Sequence, residues 1–161
     1  MANNDEQPAT QLAAPEPDPA LKRLERLVGS WTIAGRTLNS EVDNIHGSVN
    51  IRWLPGAFFL EQRGELHFMG LTVLSLEIVG YDPSKGIFSS HVYSNMDVVP
   101  GRYYWDVLGD IVTHWTEAAT YTGTFSADGK VITGGWRPKE GMASEGNAAY
   151  DATMTRVDGS L

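Results

Sequence analysis

Residues Gly101–Ser126 read GRYYWDVLGDIVTHWTEAATYTGTFS, three strand-like runs of β-branched and aromatic residues with almost nothing between them. The runs fall at 101–108, 110–117 and 119–126, and Leu108-Gly109-Asp110 links the first two directly. Parallel strands need a crossover of a dozen or more residues, so connections this short imply antiparallel neighbours. In the third run Tyr121, Gly123 and Phe125 share one face and Thr120, Thr122 and Thr124 the other. The first face is assigned to the interior.

The same grammar extends outward. Further runs are expected at 31–38, 47–54, 57–66, 71–81, 86–94, 130–137 and 147–157. Leu54-Pro55-Gly56-Ala57 reads as a tight reversal, and Tyr81–Gly86 and Ser126–Lys130 as hairpin loops. Glu140–Asn147 is the longest flexible loop, of the kind that rims a pocket mouth. A meander of antiparallel strands has two open edges, and closure removes them. The expected fold is therefore all-β: an antiparallel up-and-down barrel of about ten strands.

One helix is expected, over Pro19–Val28. Asp18 serves as N-cap, Pro19 takes the first helical position, and Gly29 ends the helix. Its stripe of Leu21, Leu24, Leu27 and Val28 is too short to stabilise itself and must cap an end of the barrel. Before it, residues 1–18 are acidic, Pro-rich and without aromatics, and are expected to form a disordered tail. Residues 19–161 are then a single barrel domain.

Alternation assigns Val49, Ile51 and Trp53 to one face, and places Leu74, Leu76 and Ile78 together on what looks like the core side of their strand. For Ile87–Ser94 either face could point inward, because a one-residue slip exchanges the two.

The chain carries 12 Lys and Arg against 20 Asp and Glu, a formal net charge of -8. That balance argues against a nucleic-acid backbone and against an anionic membrane surface. There is no cysteine, and so no disulfide, thiolate metal site or cysteine nucleophile. No apolar run is long enough to span a bilayer, and the N-terminus lacks the apolar core of a secretory signal, so a cytoplasmic location is expected.

Gly29-Ser30-Trp31, after a short helix and opening the first strand, resembles the Gly-x-Trp start of lipocalin-like (calycin) barrels. In those barrels the Trp packs across the closed end. Pro17–Leu24, Arg52–Leu60, Leu76–Pro83, Tyr121–Ser126 and Tyr150–Val157 resemble an uncharacterised bacterial family of such barrels. That family implies a fold and a cavity but no reaction. The related nitrobindins hold haem through a His on the last strand. Ala148-Ala149-Tyr150-Asp151-Ala152 stands at that place here without a His, so no haem site is carried over and no cofactor is expected.

Four histidines, His46, His67, His91 and His114, form no His-x-His or His-x-x-x-His pair, so no metal site is expected. His91 and His114 sit mid-strand among aromatics and could bind a ligand or move a proton. Tyr104 and Arg102 share a face and could hold an anionic or carbonyl group. Glu77 and Glu117 interrupt apolar strands, and an inward carboxylate there could act as acid or base. Trp53, Trp115 and Trp136 suit the wall of an apolar pocket. With Tyr93 and Tyr121 beside them, these residues give a ligand-binding set of Trp53, His91, Tyr93, Arg102, Tyr104, Trp115, Tyr121 and Trp136. The catalytic candidates are His91, His114, Tyr104, Glu77 and Glu117.

The leading reading is a binding module for a small hydrophobic or amphipathic molecule. The alternative is a small-metabolite enzyme (isomerase, cyclase or hydrolase) using the same cavity. A filled, structural or dimerising barrel is third, and a homodimer is compatible with any of the three.

Overall fold

The computed structural model describes residues 12–157, so the first part of the expected tail, residues 1–11, lies outside the described residues. The ten strands are β1 (Gly29–Thr37), β2 (Ile45–Trp53), β3 (Leu60–Phe68), β4 (Leu71–Asp82), β5 (Ile87–Ser94), β6 (Gly101–Leu108), β7 (Ile111–Trp115), β8 (Ala119–Phe125), β9 (Val131–Pro138) and β10 (Tyr150–Arg156). They close in the order β1-β10-β9-β8-β7-β6-β5-β4-β3-β2. Each strand pairs antiparallel with its sequence neighbour, and β1 with β10 completes the ring. The expected up-and-down barrel is the observed one.

β3 begins later than the alternation suggests. Ala57 adopts a left-handed φ of 57°, and Leu54 N–H donates to Phe59 O at 2.9 Å, which keeps Phe58 and Phe59 in the turn. Pairing starts at Leu60, opposite Trp53.

The N-terminal element, Pro19–Leu27, is a 3-10 helix. A 3-10 helix has three residues per turn, and Leu21, Leu24 and Leu27 are spaced by three, so all three fall on one row and are buried. The expected cap is present: Ala20 N–H donates to Asp18 Oδ1 at 2.8 Å. Gly29 takes φ +135°, which lets the chain leave the helix directly into β1, and the Arg156 guanidinium fills the space where a Cβ would stand.

This helix closes one end of the barrel over Trp31. The indole is fully buried, donates from Nε1 to Leu27 O at 2.9 Å, and lies beneath the Arg156 guanidinium at 4.2 Å. Arg156 also donates to Val28 O and Arg26 O, tying β10 to the helix. Leu24, Val49, Val107, Phe125 and Ile132 belong to the same core cluster. Each fully buried side chain of this size contributes about 1.5–3 kcal/mol.

Val49, Ile51 and Trp53 face inward, as do Tyr121, Gly123 and Phe125. On β4 the expectation is reversed. Val79 and Glu77 are buried, whereas Leu74 is exposed and Leu76 and Ile78 half-exposed on the outer wall. On β5, Phe88 and Ser90 are the buried set.

Trp31→Ala is expected to lower unfolding free energy by about 3–5 kcal/mol, since it opens the closed end and strands the Arg156 guanidinium. Urea denaturation followed by tryptophan fluorescence checks this.

Candidate functional site

Cross-strand register assembles one row of large inward residues around half of the barrel. Phe88 pairs with Trp105, Trp105 with His114, His114 with Tyr121, Tyr121 with Trp136, and Trp136 with Tyr150. Facing positions on β3 and β4 are smaller: Gly64 and Ser75. Bulk on one side and glycine or serine on the other leave a cavity of about 540 Å³. Its mouth is rimmed by Thr116, Ala118, Asn147 and Ala148, at the end opposite the helix. Asn147 fastens the rim: its Oδ1 accepts from Trp136 Nε1 at 3.1 Å, and its Nδ2 donates to Met142 O and Ala118 O.

Glu77 lies beneath the cavity wall, 3% exposed. Its Oε1 accepts from Ser90 Oγ at 2.5 Å and Trp105 Nε1 at 2.7 Å, and its Oε2 from Gln62 Nε2 at 3.1 Å. His114 Nε2 approaches the same Oε1 at 3.2 Å, but off the N–H axis, as a close polar contact rather than an aligned hydrogen bond. Burial alone would raise the carboxyl pKa. The contact with His114 and the hydrogen bonds from Ser90 and Trp105 outweigh it, so Glu77 sits below the usual carboxylate range and is ionised at neutral pH.

The His114 ring is held between two aromatics, stacked on Trp105 at 3.8 Å between centroids and tilted against Tyr103 at 4.9 Å. Among the described residues, no hydrogen bond reaches Nδ1 of His114 or the hydroxyls of Tyr103 and Tyr150, and none of these atoms is sealed off from the cavity. Burial raises the pKa of both phenols, Tyr150 to about 12, and each is raised further by a neighbour, Glu77 for Tyr103 and Tyr103 for Tyr150. Both therefore stay neutral donors at physiological pH. The Tyr121 hydroxyl differs: it is fully enclosed without a partner, pressed over the Gly123–Gly134 pair where any Cβ would lie within 2.7 Å of it.

Of the sequence-derived candidates, His114, Tyr121 and Trp136 line this cavity, and Glu77 supports it from behind. The rest stand elsewhere. Tyr103 and Trp105 are the inward residues of β6, so the face carrying Arg102 and Tyr104 looks out. His91 is exposed beside Arg102 (3.4 Å), and Tyr93 is 50% exposed. Tyr104 stacks on Trp115 at 5.7 Å on the outer wall, because both alternate with inward neighbours. Glu117 is exposed in the β7–β8 turn. Trp53 points inward at the helix end, where its Nε1 donates to Glu25 Oε2 at 2.6 Å. Sequence reasoning passed over Tyr103, Trp105, Tyr150, Gln62 and Ser90. For β6 a signal existed: Arg102 and Asp106 flank Tyr104 and mark its face as the outer one. Among the described residues, no cluster of three His, Cys, Asp or Glu is arranged to hold a metal ion, and no helix is long and apolar enough to cross a membrane.

Two stability effects are expected. Since the folded Glu77 carboxyl titrates below its ordinary 4.5, its contribution is fully present above about pH 4.5 and lost as pH falls through the lower folded value. Urea midpoints measured across the acid limb should fall less steeply in Glu77→Gln than in the parent protein. Glu77→Leu should cost about 3–5 kcal/mol at neutral pH, since His114 and three donors lose their partner. Tyr121→Phe should instead stabilise the protein by about 1 kcal/mol, since it removes an enclosed hydroxyl with no partner. Thermal melts of that variant check the sign.

A protein-family model described as a protein of unknown function, DUF1579, matches residues 16–160. No curated protein matches the chain. The match covers the helix and all ten strands, and the chain belongs to the DUF1579 family.

Proposed function

We propose that the barrel binds one small amphipathic molecule, with a flat apolar body and an uncharged oxygen acceptor, in the cavity bounded by the aromatic row. The observation that carries this reading is the group of three accessible polar atoms without protein partners: the Tyr103 and Tyr150 hydroxyls and His114 Nδ1. Accessible polar groups of this kind are free to hydrogen-bond a ligand that displaces the water on them. A volume of about 540 Å³ lies in the range of small-molecule sites. No Arg or Lys side chain lines the cavity among the described residues, which favours a carbonyl or hydroxyl over a carboxylate or phosphate. Phe68, Trp105 and Trp136 supply flat apolar walls. The lipocalin-like placement of Trp31 at the closed end agrees with entry from the opposite, loop-rimmed end.

Prodan, a neutral naphthyl ketone whose emission shifts blue in apolar surroundings, is a suitable probe. Saturable one-to-one binding with a blue shift is expected. Ser75→Leu, which fills the cavity from β4, should abolish it. Tyr103→Phe should weaken it by about 3–10-fold, the value of one hydrogen bond. Absence of the shift, or equal binding by Ser75→Leu, would reject the cavity as the site.

A further inference from the structure

The polar groups of the cavity are not spread evenly. The His114 imidazole and the Tyr103 phenol meet ring to ring, Tyr150 lines the same cavity, and an ionised carboxylate stands behind the imidazole. From this arrangement we infer that the protein catalyses proton transfer at a carbon next to the carbonyl of a flat, uncharged ketone, with His114 as general base and Tyr103 and Tyr150 as donors to the developing oxyanion. The inference rests on the proposed binding of an amphipathic acceptor molecule and adds a reaction to it.

Nε2 of His114 faces Glu77 Oε1 at 3.2 Å, so the proton of the neutral ring is favoured at Nε2 and the lone pair at Nδ1, the nitrogen open to the cavity. Contacts of this kind are often poorly aligned without substrate and tighten in the complex. Ser90, Trp105 and Gln62 hold the carboxylate from three other strands, and Trp105 also stacks on the imidazole and fixes its plane. Glu77 is thus a positioning residue: it orients the ring and stabilises the imidazolium that forms. The remaining groups facing His114 are Tyr103 on β6, Tyr121 on β8 and Trp136 on β9, none of them charged at neutral pH.

The step balances without a further reactant. The Nδ1 lone pair takes a proton from the carbon beside the carbonyl. The C–H electron pair becomes the C=C bond of the enolate, and the carbonyl π pair moves onto oxygen. Hydrogen bonds from the Tyr103 and Tyr150 hydroxyls stabilise that oxygen where charge develops, the role of an oxyanion hole. Return of the proton to the same carbon regenerates the ketone. Return to the far end of a conjugated system shifts a double bond, an isomerisation in which no atom is gained or lost.

The test uses β-tetralone, a flat bicyclic ketone with an acidic benzylic C–H, and its aromatic enol analogue β-naphthol. In heavy water the imidazole exchanges its proton with solvent through the open mouth, so turnover replaces C–H by C–D and is read by proton NMR. Exchange that saturates with ketone and exceeds the buffer rate is expected, with a loss of about 100-fold or more in His114→Gln. A parent-like far-ultraviolet circular dichroism spectrum and cooperative urea unfolding show that this variant is folded. Glu77→Gln should lower kcat and move the pH–rate profile while leaving KM nearly unchanged, a split that a purely structural role would not produce. Independently of any variant, β-naphthol should displace prodan at concentrations at least about tenfold lower than β-tetralone, since it resembles the enol more than the ketone does. Exchange at the buffer rate while β-tetralone displaces prodan would overturn the catalytic inference and leave the binding function standing. Failure of β-tetralone to displace bound prodan would overturn the ketone assignment. Failure of prodan itself to bind would reject the binding function first.

Discussion

A carboxylate inside a β-barrel must be compensated locally, because isolated burial of such a charge is prohibitively costly. Glu77 meets that constraint by drawing Gln62 from β3, Ser90 from β5, Trp105 from β6 and His114 from β7 around two oxygens. Only one register of five consecutive strands brings these groups together. The pairings Gln62 with Glu77 and Trp105 with His114 are therefore fixed by electrostatics as well as by apolar alternation. An apolar residue of similar volume, with the donors also replaced, would make a simpler and equally stable wall. What the charged version adds is orientation: the imidazole plane is set by the indole stacked on it, and that indole is itself anchored to the carboxylate. A site built on paired strands in this way is more rigid than one carried by loops.

The same row explains why the barrel is hollow. Large side chains on β5–β10 would meet their counterparts and fill the interior if β3 and β4 carried similar bulk. Gly64 and Ser75 withhold it. At the helix end Trp31, Leu24 and Phe88 are almost without exposure. The helix end supplies packing and stability, and the cavity, which reaches as far as Leu27 and Ile51, forgoes some of both. The sealed Tyr121 phenol in the hollow half has the same character, in that it weakens the free protein.

The strands were legible because turn chemistry and alternation are local. Elements such as β6, with bounds Gly101–Leu108, follow directly from the residues. Faces were legible only where alternation was lopsided, as in Tyr121, Gly123 and Phe125 against three threonines. On β4 it pointed the wrong way. Leu74, Leu76 and Ile78 outweigh Glu77 and Ser75 in hydrophobicity, yet they face out and the carboxylate faces in. What decides that face is four partners on four other strands, information that no window along β4 contains. The helix shows the converse. Its leucines at spacing three were visible, but the 3-10 winding that this spacing permits follows only from docking all three on the barrel end.

His91 and His114 make the point at the level of chemistry. Both are mid-strand histidines with aromatic neighbours, and sequence alone treats them alike. Register separates them: His91 pairs with Arg102 on the outer wall, and His114 pairs with Trp105 on the inner one. The outer imidazole is exposed beside a guanidinium. The inner one has an ionised carboxylate on one nitrogen and the cavity on the other. A histidine becomes a useful base when its two nitrogens see different surroundings, one fixing the tautomer and the other meeting substrate. In this barrel that asymmetry is a consequence of Glu77 facing inward, and so the residue least expected in the core is the one that gives the cavity its chemistry.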